Sequence, residues 1–258
     1  MFTEYTEFAI EVAKQAGKIV MDFHDRRMEP IWTDRHHFKT AADDASEALI
    51  QERIRARYPG HNIYSEEGGM LNKQSRYTWV WDAVDGTMPL FTGLSDHFAV
   101  CGALCDGDVP ILGVVNAPKR AELYIGEIGG GAYCNGVPIW VSAEIDISRC
   151  LMGIDSGKFN RAAHLPFLER AFQPDGICHT VDYLCASMPL VFVARGMLQA
   201  YFATSLEPED MAAAVAIIRA AGGKVTNHAG EEWTIKDPSI LTANPVLHAK
   251  LGEFFRLF

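Results

Sequence analysis

Apolar residues recur at every third or fourth position in several stretches of the chain, which is the spacing of one face of an α-helix. In residues 6–24 these positions are Phe8, Val12, Ala16, Ile19, Val20 and Phe23. A second stretch, residues 42–58, stops at Pro59 and Gly60, and Asp43 or Asp44 is suited to cap its first turn. Similar patterns predict helices over residues 162–172, 185–195, 211–221 and 245–255.

Shorter apolar runs bounded by glycine, proline or aspartate predict strands. Residues 62–64 form one such run, and an antiparallel meander follows from residues 97–104, 111–116, 122–126 and 131–134, closed by residues 138–142. Runs at residues 151–154, 177–181, 198–202, 224–227 and 240–242 alternate with helices, so we expect a parallel or mixed sheet covered on both faces. A composition shift near residue 145 divides the chain into an N-terminal half, residues 1–145, and a C-terminal half, residues 146–258.

Composition narrows the classes of function. With 258 residues, 48% of them hydrophobic, the chain can bury a substantial core. A formal net charge of -10 argues against nucleic acid or an anionic membrane surface as the main partner, and no apolar stretch is long enough to span a membrane. No signal peptide is evident, and the six cysteines lack the paired spacing of a zinc site. We therefore expect a cytoplasmic protein with buried thiols.

One apolar run ends in a group of polar residues. It reads Trp79-Val80-Trp81-Asp82-Ala83-Val84-Asp85-Gly86-Thr87, a strand followed by two carboxylates three residues apart, a glycine and a hydroxyl. Two carboxylates this close repel each other unless a cation lies between them, and a set of oxygen ligands favours Mg²⁺. The alternative is a simple turn, because Asp-Gly is among the commonest turn dipeptides. The run alone does not decide between the two interpretations.

Further acidic residues lie at the ends of predicted elements. Glu66 and Glu67 follow a short strand and precede a glycine pair, and Asp210 opens an alanine-rich helix. Each has an ordinary interpretation, because acids cap helix N-termini and adjacent glutamates are common on surfaces. His36 and His37 could bind a metal, but no third ligand is near them in the sequence, so we predict a solvated loop there.

Taken in order along the chain, these motifs resemble the magnesium-dependent, lithium-sensitive inositol monophosphatase family. The resemblance is carried by Glu66-Glu67, by residues 81–87 and by Asp210 at the start of a helix that ends in Gly222-Gly223. Residues 113–118 and 129–136 are also similar to that family's sheet region, so the resemblance covers nearly the whole chain. It implies an α/β fold, the family's layered αβαβα sandwich, with an α+β N-terminal half, an α/β C-terminal half and the site between them.

The resemblance also implies a site and an activity. The residues it assigns to Mg²⁺ are Glu66, Asp82, Asp85, Asp210 and, through its backbone carbonyl, Val84, with Glu67 beside them as an outer acid. It places the substrate phosphate against Asp85 and the backbone amides of Gly86 and Thr87. The carboxylate of Asp43 would bond the hydroxyl of Thr87, and these two groups, with Glu66, would serve catalysis by orienting the attacking water. The implied reaction is hydrolysis of a small phosphate monoester by metal-activated water, in a homodimer.

The sequence departs from the inositol enzymes at two positions. Glu209 replaces the usual aromatic residue before the last ligand, and Ala203 replaces a glutamate that touches the sugar hydroxyls. The Leu206-x-Pro208-x-Asp210 pattern is instead similar to the histidinol-phosphate branch, although that branch's aspartate falls on Ala186. The alternatives are therefore a histidinol-phosphate phosphatase or a non-enzymatic regulatory binding protein of the same fold. The candidates for leaving-group recognition are Asp155, Ser156, Lys158 and Asp182.

Overall fold

The helices follow the predicted pattern closely. A computed structural model describes residues 2–24, 29–33, 38–155 and 161–257. The helices of these residues are α1 (Glu4–His24), α2 (Ala41–Arg57), α3 (Thr87–Thr92), α4 (Leu165–Ala171), α5 (Ser187–Ala194), α6 (Pro208–Ala220) and α7 (Pro245–Phe255). The predicted helix over residues 162–172 is divided into a 3-10 turn, Arg161–His164, and α4, because Pro166 favours a helix start. The short helix α3 had no counterpart in the apolar periodicity.

The first sheet has eight strands and contains the predicted meander. Its strands are β3 (Asn62–Ser65), β4 (Gly69–Leu71), β5 (Tyr77–Asp85), β6 (Ala99–Asp106), β7 (Val109–Ala117), β8 (Glu122–Glu127), β9 (Gly131–Cys134) and β10 (Val137–Pro138), and their spatial order is β10-β9-β8-β7-β6-β5-β3-β4. Neighbouring strands are antiparallel except β3 and β5, which run parallel. A separate two-stranded pairing joins β1 (Ile31–Trp32) to β2 (Phe38–Lys39).

The second sheet has five strands and is mixed, as predicted. The strands are β11 (Leu151–Asp155), β12 (His179–Val181), β13 (Ala200–Ala203), β14 (Lys224–Thr226) and β15 (Ile240–Ala243), in the order β12-β11-β13-β15-β14. The β11 strand pairs in parallel with β12 and β13, whereas β15 is antiparallel to β13 and β14. The predicted boundary at residue 145 falls between β10 and β11 and remains a prediction.

Helices cover both sheets and form the predicted αβαβα layers. The outer helices α1 and α2 pack on the first sheet, α5 and α6 lie between the two sheets, and α4 and α7 cover the far side of the second sheet. Close approach of α6 requires glycine in the facing strands: a Cβ on Gly113 would lie 2.0 Å from the carbonyl oxygen of Ala213, and one on Gly126 would lie 2.4 Å from the Cα of Ile217. The expected buried thiols are found at five cysteines, whereas Cys178 is exposed.

Candidate metal and phosphate site

A β-bulge brings Asp82 and Asp85 to the same cavity. Residues three apart in a regular strand point to opposite faces. Here Asp82 pairs with Cys101 and Asp85 with Ala99, so three steps along β5 oppose two along β6. Both carboxylates line one cavity, although each residue is buried, with 1% and 6% of its surface exposed. The strand therefore continues through Asp85, whereas we expected it to end at Asp82.

Asp210 joins these two carboxylates from the start of α6. Carboxylate oxygens of Asp82, Asp85 and Asp210 all lie within 4.8 Å of one another. The same Asp210 side chain accepts a hydrogen bond from the backbone N–H of Glu207 at 3.0 Å and so caps the helix. Capping and membership of the acidic cluster, which are alternatives at the sequence level, therefore coexist in one side chain.

The Asp85 carboxylate is held by the N-terminal turn of α5. It accepts hydrogen bonds from the backbone N–H groups of Ala186 at 3.2 Å and Ser187 at 2.6 Å, and from the thiol of Cys185 at 3.0 Å. The positive end of the helix dipole lies beside this carboxylate and interacts favourably with negative charge. These donors are about a hundred residues away in sequence, and no motif marks them, so sequence reasoning missed them.

Thr87 and Asp43 are in contact. The Thr87 hydroxyl lies 3.1 Å from Asp43 Oδ1 and 3.2 Å from the carbonyl oxygen of Val84. Asp43 Oδ2 accepts from the backbone N–H and the hydroxyl of Thr40, at 2.8 and 2.7 Å. Thr40 is the N-cap of α2 and Asp43 is its capping-box partner, so Asp43 takes part in the predicted cap, although the N-cap position itself belongs to Thr40. Burial raises the pKa of Asp43, and the hydrogen bonds from Thr40 and Thr87 oppose this rise.

Gly86 turns the chain from β5 into α3. Its φ of 88° lies in the left-handed region, and a Cβ at this position would come within 2.7 Å of the carbonyl oxygen of His97. A side chain is therefore excluded here for both conformational and steric reasons. Gly86 and Thr87 line the cavity beside the carboxylates.

Of the two adjacent glutamates, only Glu66 lines the cavity. Glu67 accepts an ion-pair hydrogen bond from Lys39 at 2.7 Å, and the same ammonium group contacts Asp44 at 2.8 Å. These two carboxylates raise the pKa of Lys39. The structure thus places Glu67 next to the site in an ion pair, and Asp43 reaches the cavity only through Thr87.

The remaining cavity wall is mixed in character. The cavity has a volume of ≈ 260 Å³, and Asp155, Asp182 and Arg161 line it together with apolar side chains such as Leu184 and Leu206. Two of the predicted leaving-group residues are therefore at the cavity, and Arg161 is an addition that no sequence pattern indicated. The other two, Ser156 and Lys158, lie outside the described residues, as do His36 and His37.

The donor set suits a hard divalent cation. Clustered buried carboxylates repel one another, and a cation bound among them would remove that repulsion. The available ligands are the carboxylates of Asp82, Asp85, Asp210 and Glu66 together with backbone carbonyl oxygen at Val84, all of which are oxygen donors. Mg²⁺ prefers such ligands, so the residues present fit this ion.

The described residues form a layered αβαβα sandwich with an acidic cavity beside a strand-to-helix turn, an architecture that known phosphatases share. The chain belongs to the inositol monophosphatase family, whose sequence profile matches residues 1–256. The chain is 31% identical to the Nus factor SuhB of Pasteurella multocida, over 92% of this chain and 90% of that protein. It is 28% identical to the histidinol-phosphatase of Chlorobaculum parvum, over 95% of this chain and 94% of that protein.

A solved structure shows the same fold. The inositol monophosphatase from Anabaena (Nostoc) superposes with a TM-score of 0.86 at 28% sequence identity, covering 98% of this chain and 95% of that one. The family and the fold expected from the motifs are thereby confirmed. Within the described part of the chain, no helix has the length and apolar character needed to cross a membrane.

Proposed function

We propose that this protein is a Mg²⁺-dependent phosphomonoesterase that hydrolyses a small-metabolite phosphate monoester. The observation that carries the proposal is the convergence of Asp82, Asp85 and Asp210, three buried carboxylates from two distant parts of the chain, within 4.8 Å. Such a cluster is unfavourable for folding unless a cation neutralises it. Membership of a phosphatase family supports the same conclusion.

The residues that would hold Mg²⁺ are Glu66, Asp82, Val84 through its carbonyl, Asp85 and Asp210. When bound, Mg²⁺ would supply positive charge for the phosphoryl oxygens and would lower the pKa of a water molecule, which would make that water a better nucleophile.

Residues of the chain itself position the substrate phosphate and the attacking water. The backbone amides of Gly86 and Thr87 bind the substrate phosphate. The Thr87 hydroxyl lies against two acceptors, Asp43 and the Val84 carbonyl, and donates its one proton to them, so a lone pair of its oxygen can accept a hydrogen bond from the attacking water. Asp43 acts through Thr87 and keeps the hydroxyl in this orientation. In-line attack then needs little rearrangement of the protein.

The leaving group is recognised by other residues that line the cavity. Asp155 and Asp182 place two carboxylates there against the one guanidinium of Arg161, and this excess of negative charge favours a leaving group that carries a positive charge, such as an amino alcohol. This observation supports histidinol phosphate as a second candidate substrate beside inositol phosphates. We also propose, from the family resemblance, a cytoplasmic homodimer. Light scattering of the purified protein would measure the oligomeric state.

Phosphate release from purified protein tests the proposal. The substrates are inositol 1-phosphate, histidinol phosphate and a neutral sugar phosphate, each with and without Mg²⁺, and the control is Asp85→Asn. We expect Mg²⁺-dependent release that the variant lacks. If the wild-type protein releases no phosphate from any substrate, the enzyme proposal fails and a regulatory binding role, as in the relative named as a Nus factor, takes its place.

A further inference from the structure

One face of α2 contacts three separate segments of the candidate site. Asp43, Ser46 and Glu47 are three and four residues apart, so they lie on the same side of the helix, and all three are buried. Asp43 bonds Thr87 at the start of α3. The other two side chains reach β5 and the end of β3.

Ser46 contacts the bulge that aims the two aspartates. Its hydroxyl donates to the carbonyl oxygen of Ala83 at 3.1 Å, and the Ser46 side chain is fully buried. Ala83 lies inside the bulge, between the register pairs of Asp82 and Asp85 with β6. In this stretch the regular sheet pairing is interrupted, so a hydrogen bond from outside the sheet can decide where the backbone lies.

Glu47 contacts the turn that carries Glu66. Its carboxylate accepts hydrogen bonds from Ser65, the residue directly before Glu66, and from Gln51. A Cβ placed on Gly68 would lie 3.0 Å from the same carboxylate oxygen, so the turn packs directly on Glu47. One rigid helix therefore touches the Thr87, Ala83 and Ser65 segments at once.

We infer that Ser46 is a positioning residue for the proposed metal site. Through the Ala83 carbonyl it holds the bulge in the shape that directs Asp82 and Asp85 into one cavity. Ser46 does not line that cavity and does not touch the reacting atoms. Because Ser46 is uncharged, its replacement changes the geometry of the ligands without changing the charge of the site. The inference rests on the proposed function, since it requires the aspartates to bind a divalent ion.

The test measures how tightly Mn²⁺ binds to wild-type protein, Ser46→Ala and Thr6→Val. Electron paramagnetic resonance in the absence of substrate detects the free ion and gives the Kd. The matched control Thr6→Val removes another buried hydroxyl. This hydroxyl donates a hydrogen bond of 2.7 Å to Glu127, and neither residue lines the cavity. Ser46→Ala loses a buried hydrogen bond to a carbonyl and Thr6→Val a partly buried one to a carboxylate, so we expect decreases in Tm of a few degrees in both variants. Ser46→Ala should raise the Kd for Mn²⁺ about five- to tenfold, which corresponds to the free energy of roughly one hydrogen bond that holds the ligands in place. Thr6→Val should leave the Kd within about twofold of wild type.

Activity gives a second readout. In Ser46→Ala the half-saturating Mg²⁺ concentration should rise by the same factor as the Kd, while kcat at saturating Mg²⁺ stays within about threefold of wild type. If Ser46→Ala does not fold, Ser46→Cys keeps a donor at this position, although a weaker one on a larger atom, and should show a smaller shift in the same direction.

Two results would overturn the inference alone: unchanged Mn²⁺ affinity in the Ser46 variants, or equal weakening in Thr6→Val, while the wild-type protein binds Mn²⁺ and releases phosphate. If wild-type protein binds no Mn²⁺ at millimolar concentrations, the proposed function and the inference fail together. Weakening confined to the Ser46 variants supports the assignment.

Discussion

The hydroxyl of Thr87 lies 3.1 Å from the carboxylate of Asp43, a residue 44 positions earlier in the chain. This contact joins the start of α3, beside the acidic cluster, to the first turn of α2. The other oxygen of the same carboxylate accepts from Thr40 and completes a helix cap. One side chain thus serves helix stability and the proposed catalytic site together, and a substitution of Asp43 should affect both.

A double-mutant cycle can separate these two roles. We expect Thr87→Ala to lower kcat by about 10²–10⁴-fold with little change in Tm, because the hydroxyl orients the attacking water. Asp43→Ala should lose activity to a similar extent and also about 1 kcal/mol of stability through the lost cap. The double variant should lose little more kcat than either single one, because Asp43 acts through Thr87. Losses of kcat that multiply would show that the two residues act independently.

Replacing Asp85 tests the metal site. Asp85→Asn should reduce turnover by at least about 10³-fold, because a carboxylate ligand becomes a neutral amide. One amide hydrogen then faces the donors of α5, which costs about 1 kcal/mol, while relief of repulsion in the cluster offsets part of this loss. Tm should therefore change by only a few degrees. Near-normal activity at saturating Mg²⁺ would rule out Asp85 as a ligand.

The family resemblance implies that lithium inhibits this protein. We expect Li⁺ at tens of millimolar, an order of magnitude suited to a weakly held monovalent ion, to inhibit mainly by lowering kcat, because it would occupy a metal position after the phosphate has bound. Steady-state rates at several fixed Li⁺ concentrations, with Na⁺ as the ionic-strength control, measure the effect. Equal rates in Li⁺ and Na⁺ would show that this metal position differs from that of the family.

His248 should make the protein less stable in mild acid. Burial lowers its pKa to about 4, and its Nε2 lies 2.9 Å from the Thr226 hydroxyl. The unfolded chain binds the proton near pH 6.5, whereas the folded chain binds it only near pH 4. The free energy of unfolding therefore falls by up to about 3 kcal/mol as the pH drops from 6.5 to 4, and this contribution is constant at lower pH. Chemical denaturation at pH 7, 5.5 and 4.5 should show a smaller pH dependence for His248→Gln. An unchanged slope would mean that His248 does not titrate in this window.

The contact between α6 and the first sheet should not tolerate a larger residue. Gly113→Ala forces a Cβ to within 2.0 Å of the Ala213 carbonyl oxygen, so we expect a loss of about 2–3 kcal/mol in the free energy of unfolding. Gly60→Ala is the matched control, because nothing lies within 4 Å of the new Cβ, and it should change stability by less than about 1 kcal/mol. Equal stabilities in urea denaturation would contradict the close packing of α6.

Local patterns predicted the elements well because helix and strand periods depend on neighbouring residues. The apolar spacing of residues 6–24 predicted α1, and the short bounded runs predicted the meander of the first sheet. The pattern could not show α3, a single turn and a half with no amphipathic repeat, or the pairing of β1 with β2. It indicated that Asp43 or Asp44 caps the first turn of α2, but it did not show that Thr40 is the N-cap and Asp43 its capping-box partner.

The sequence by itself determined the residue types of the candidate site, since Glu66, Asp82, Asp85, Thr87 and Asp210 stand in motifs that resemble one family. Whether these groups meet depends on contacts between distant segments, which residue spacing does not encode. Tertiary structure decided that the β5 bulge turns two aspartates to one side, and that Asp210 approaches them from α6. It also decided that the N-terminal turn of α5 holds Asp85. The physical reason is that side-chain direction follows from strand register and helix packing, which the folded chain sets as a whole.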